Sequence, residues 1–172
     1  MRKSIVLVLI MVLTSVLLFP NNSIKANSTK EKILYNSKFE ISDNDDVDIV
    51  HNDDGSTDIF VTKIGEVKVV KVGDRVMQTK TAERAKYHLE GVDIVWKAKL
   101  EATFLYDGSS ATCIAHNPTT EIYNSNWYLY SSSDGRSGNS AYMSYTFKKT
   151  SGSTKSGSIT ISCAGDGTIY SS

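Results

Sequence analysis

Between Trp96 and Tyr106 the chain alternates its side chains almost without a slip. Trp96, Ala98, Leu100, Ala102, Phe104 and Tyr106 fall on one side, and Lys97, Lys99, Glu101 and Thr103 on the other. A helix repeats its apolar positions about every 3.6 residues, so near-strict period two over this length specifies a strand with one dry face. A strand of that kind needs partners, and the rest of the chain supplies candidates.

VDIVHNDDGSTDIFVTK, residues 47–63, reads as two β-branched runs about a turn at Asp53-Asp54-Gly55. EVKVVKV and RVMQTK repeat the pattern around Gly73-Asp74. TAERAKYHLE, residues 81–90, has the one helix-forming composition, and one or two helical turns or an irregular crossover are expected there. After Asp107-Gly108 come SATCIA, TEIYNSNWYLYS, AYMSYTFKK and GSITISCAG, separated by Gly-, Ser- and Asp-rich loops. Short strands at this spacing predict an all-β, mostly antiparallel β-sandwich with one short helical segment at most. An immunoglobulin-like topology is one form of it: Cys113, Trp127 and Cys163 are suitably ordered, but Ile161 stands where the tyrosine corner needs Tyr.

The chain opens with a secretory layout: basic Arg2 and Lys3, an uncharged apolar stretch from Ser4 to Phe19, Pro20, and the small Ala26. The expectation is a signal peptide over 1–26, cleavage near Ala26, and a single secreted β domain over 27–172. A retained anchor is the rival reading. Losing Arg2, Lys3 and Lys25 from 19 basic residues leaves 16 against 19 acidic ones, a net charge of −3. That balance offers no basic footprint for nucleic acid. In an oxidising compartment Cys113 and Cys163 are expected to form a disulfide, with two reduced, buried cysteines as the alternative and a nucleophilic Cys113 beside His116 as a third reading. Closing a loop of about 50 residues would stabilise the fold by roughly 4 kcal/mol.

No chemistry declares itself. Placing Gly55 at the glycine of an EF-hand loop puts Val50 and Val61 at ligand positions, so that motif fails, although a less regular cation site at Asp43, Asp45 and Asp46 stays open. His51, His88 and His116 lack zinc spacing. No G-x-S-x-G elbow is present. The expectation is a non-enzyme with no cofactor and no metal. If Trp127 and Leu129 face the core, Tyr128 and Tyr130 point outward, and Tyr142 does so beside Met143. Outward tyrosines suit sugar stacking or protein contact, so a glycan or protein ligand at or outside the cell envelope is expected. The alternative is a small secreted toxin or bacteriocin-like effector whose alternating strands re-pair in a membrane. A small hydrolase would need two carboxylates across a cleft.

WKAKLEATFLYDGSSATC, the Tyr123-x-x-x-Trp127 spacing, DGRSGNSAYMSYTFKK and SITISCAGDGT together resemble small secreted β proteins of Gram-positive bacteria, a family of unknown function. The resemblance spans roughly Trp96 to Thr168. It implies export and a β fold, and it carries no catalytic residue.

Overall fold

The computed structural model describes Phe39 and residues 41–172; the expected signal peptide, its expected cleavage near Ala26 and the expected domain start at 27 lie outside the described residues. Ten strands follow: β1 (Asp46–His51), β2 (Ser56–Ile64), β3 (Lys68–Val72), β4 (Arg75–Glu90), β5 (Asp93–Tyr106), β6 (Ala111–Ile122), β7 (Trp127–Ser137), β8 (Ser140–Lys149), β9 (Thr154–Cys163) and β10 (Ile169–Ser171). A six-stranded sheet runs β1-β2-β4-β5-β6, with β3 also on β4, and a four-stranded sheet runs β10-β9-β8-β7. All pairings are antiparallel. The sheets pack face to face as a sandwich. The smaller sheet is a meander; in the larger, β2 neighbours β4 and β3 pairs with β4 off that path. The chain passes from the larger sheet to the smaller between β6 and β7, so the Greek-key connections of an immunoglobulin domain are absent among the described residues.

β5 behaves as its alternation demands. Trp96, Ala98, Leu100, Ala102, Phe104 and Tyr106 are buried against Met143, Tyr145 and Phe147 of β8 and Ile159 and Ile161 of β9. Burying each large side chain contributes roughly 1.5–3 kcal/mol. On the opposite face, Lys97 pairs with Glu121 and Lys99 with Glu83, both at 3.1 Å across neighbouring strands.

Residues 81–90 correct the helical expectation: they are the second half of the 16-residue strand β4. β2 bonds one edge of this half and β5 the other. With both edges occupied, the ladder outweighs the helix propensity of Ala, Glu and Lys. Its two faces also serve two cores. Ala82 joins the core between the sheets, whereas Ala85, Tyr87 and Leu89 join a second cluster with Ile49, Ile59 and Val61 on the outer side of the larger sheet. Phe39 and Ile41 complete that cluster, with the Phe39 ring 4.7 Å from Tyr87. The start of β4, Arg75 to Met77, runs past the end of β5, and Arg75 to Thr79 form a ribbon with β3 on which Val69 and Val76 are exposed.

The acidic β1–β2 region is knitted to cations rather than simply solvated. Lys155 of β9 reaches Asp54 at 2.6 Å, and Lys86 reaches Asp58 at 2.8 Å. The Lys155 and Ser56 hydrogen bonds hold the Asp54 carboxyl well below the usual carboxylate range.

Candidate functional site

Strands β7, β8 and β9 present one face to the core and the other to solvent. Inward go Trp127, Ala141, Met143, Tyr145, Phe147, Ile159 and Ile161. Pairing register fixes what lines up outside: Ser131 with Thr146 and Ser156, Ser133 with Ser144 and Ser158, and Gly135 with Tyr142 and Thr160. These rungs lie about 6.8 Å apart along strands spaced about 4.8 Å. Hydroxyls bond across them: Ser133 to Ser144 at 2.8 Å, Thr146 to Ser156 at 3.0 Å, and Ser140 to Ser162 at 2.8 Å. Lys148, opposite Tyr128, brings the one charge to this face. Apart from Lys148 at one end, the surface is a neutral lattice of hydroxyl groups.

Tyrosines bracket it. Tyr128 is 45%, Tyr130 60% and Tyr142 47% exposed. A β-bulge between Leu129 and Ser131 leaves Tyr130 as the extra residue. The Lys148 ammonium sits 3.3 Å from the Tyr130 ring centroid, which places Tyr128, Tyr130 and Lys148 together at one end. Tyr142 lies apart from them, six residues along β8 from Lys148, or about 20 Å. Its ring lies over Gly135, where an added Cβ would meet the phenol oxygen at 2.6 Å. Leu129 departs from the expected core position. It pairs with Phe147, but at the bulged edge it stays 36% exposed.

Searches across family models, curated proteins and solved structures find no match to this chain. The site therefore stands on its own geometry.

The expected disulfide is corrected. Cys113 and Cys163 are both buried free thiols. They belong to different sheets, and each sulfur turns to its own chain: Cys113 Sγ donates to the Ala115 carbonyl and Cys163 Sγ to the Ala164 carbonyl, both at 3.3 Å. Burial pushes both thiols up, which keeps them protonated. They act as small apolar groups in the core between the sheets.

Sequence reading also missed a buried polar cluster. Asp58 of β2 and His88 of β4 are register partners, with His88 Nδ1 donating to Asp58 Oδ1 at 2.6 Å. The His88 ring stacks on Trp96 at 4.7 Å and meets Trp127 edge-on at 5.6 Å. His88 is only 1% exposed, so this acid–imidazole pair is closed to any substrate and serves the core. Burial pushes the Asp58 carboxyl up, but the His88 hydrogen bond and the Lys86 charge outweigh it, leaving the carboxyl below its ordinary value. Nothing local in the sequence joins residues 58 and 88; the β2–β4 register does. Among the described residues, no group of three or more His, Cys, Asp or Glu side chains is arranged to hold a metal ion.

Proposed function

We propose that this is a secreted, non-catalytic binding protein whose outer β-face engages a neutral glycan at or outside the cell envelope. The observation that carries the reading is the uncharged hydroxyl lattice of β7–β9 bracketed by half-exposed Tyr128, Tyr130 and Tyr142. Tyrosine faces stack on the C–H faces of sugar rings, and paired serines offer donors and acceptors to sugar hydroxyls. A phosphorylated or strongly acidic ligand would meet a single lysine there. A protein partner would find tyrosine anchors but little charge with which to set its register. Export is inferred from the leader, Arg2 to Ala26.

The test is co-sedimentation with insoluble peptidoglycan, chitin and cellulose. An aromatic hot spot contributes about 2 kcal/mol, so Tyr128→Ala with Tyr130→Ala should weaken binding at least tenfold. Thermal stability should be unchanged, because both rings are solvent-facing. Retention of all three polysaccharides by the double variant at wild-type affinity would remove this face as the site.

A further inference from the structure

Where the chain leaves the larger sheet for the smaller one, an open hollow of about 600 Å³ is lined by Asp93, Ile94, Tyr123, Asn124 and Ser125. It shares no residue with the tyrosine-bracketed face. Its volume is in the range of small-molecule sites, a few hundred to about 1,000 Å³.

Its walls are held in place. The Tyr123 and Asn124 amides both donate to the Val95 carbonyl, at 3.0 and 3.2 Å, and the Trp127 amide donates to the Asn124 carbonyl at 2.9 Å. Asn124 Oδ1 accepts from the Asn126 amide at 2.9 Å, which leaves its NH₂ as the side chain's donor. The Tyr123 ring is 51% exposed yet not free to swing. Its hydroxyl donates to Glu121 Oε2 at 2.6 Å, and Lys97 holds Glu121 Oε1 at 3.1 Å. With the hydroxyl donating to Glu121, the exposed ring is what Tyr123 brings to the lining. Asp93 is exposed, and no hydrogen bond or ion pair engages its carboxylate among the described residues.

We infer that this hollow is a second binding subsite, which takes one neutral sugar ring against Tyr123 with its hydroxyls bonded to Asp93, Asn124 and Ser125. A tyrosine face, a carboxylate acceptor, an amide donor and a hydroxyl are the complement of a ring with one C–H face and a rim of hydroxyls. An ammonium ion would suit the ring and Asp93, but it has no acceptor for the Asn124 and Ser125 donors. An acidic ligand would be repelled by Asp93 and Glu121. The fixed walls reduce the ordering cost of binding. The inference takes its ligand class from the glycan reading above but not its site.

The experiment is a ¹⁵N–¹H NMR titration of the whole protein with D-glucose and with N-acetyl-D-glucosamine, single rings too small to span the hydroxyl face. The expected result is saturable shifts at the amides of Tyr123, Asn124 and Ser125, with a Kd on the order of 1 mM, typical of a single weakly held ring. Tyr123→Ala should weaken that binding at least tenfold. Asp93→Asn should weaken it severalfold. Tyr123→Phe, which keeps the ring but frees it from Glu121, should fall between wild type and Tyr123→Ala. Unmoved 123–125 amides with both sugars overturn the subsite, even if polysaccharide co-sedimentation succeeds. Shifts produced by lysine methyl ester and not by the sugars overturn it in favour of a cation site. Sugar shifts at 123–125 alongside failed co-sedimentation leave this subsite standing and remove the face.

Discussion

Asp58→Asn tests how much of the sandwich depends on one buried carboxylate. The side chains of Asp58, Lys86 and His88 are 11%, 13% and 1% exposed. Removing one member of a buried ion pair costs about 3–5 kcal/mol, because the remaining charge loses its partner. Asparagine can still accept the His88 hydrogen bond through Oδ1, so the lower end applies, about 3 kcal/mol. For a domain of this size each kcal/mol moves the melting temperature by roughly 2–4 °C, which predicts a drop of about 6–12 °C at neutral pH. The pH dependence carries the sign. Asp58 has a depressed carboxyl pKa in the folded state, so its contribution is complete above the unfolded value near pH 4. It fades as pH falls through the lower folded value. Urea denaturation of both proteins from pH 7 to pH 2 should therefore show the stability gap narrowing at the acid end. A second change, Lys86→Met, should recover part of the loss by removing the orphaned charge. A gap under about 1 kcal/mol at neutral pH, or one that does not narrow in acid, would refute the reasoning.

Two further substitutions separate rigid from yielding neighbours. An added Cβ at Gly157 meets Tyr145 Oη at 2.5 Å, and Tyr145 is buried; Gly157→Ala should cost about 1–3 kcal/mol in urea denaturation. The same change at Gly135 meets the exposed Tyr142, which can swing aside, so Gly135→Ala should stay within about 1 kcal/mol of wild type. The free thiols predict that dithiothreitol leaves the melting temperature unchanged and that the denatured protein titrates with Ellman's reagent as 2 thiols, the full cysteine content. One thiol or none, with a reductant-sensitive melt, would restore the disulfide.

What could be read in advance divides along the range of the interaction. The alternation of 96–106 and the turns at Gly55, Gly73 and Gly108 are local signals, and the strands and turns stand where those signals put them. Residues 81–90 misled because propensity is also local, whereas the identity of β4 comes from two flanking strands. The outward aim of Tyr128 followed from period two, but the bulge that sets Tyr130 beside Lys148 and leaves Leu129 half in water belongs to the β7–β8 pairing. Tyr123 was visible only as part of a Tyr-x-x-x-Trp spacing. Its orientation depends on Glu121, Lys97 and the Val95 carbonyl, contacts no spacing rule anticipates. The thiols were paired on compartment and count, and neither says which way a sulfur turns within its sheet.

The second cluster changes what trimming this chain would mean. Phe39 and Ile41 precede β1 and belong to no strand, yet they pack with Ile59, Val61 and Leu89, none of which is more than 1% exposed. A protease that cuts before Phe39 would leave both residues on the chain. One that cuts after Ile41 would uncover an oily patch on a protein whose ten described strands remained intact, and that product would be sticky before it was unfolded.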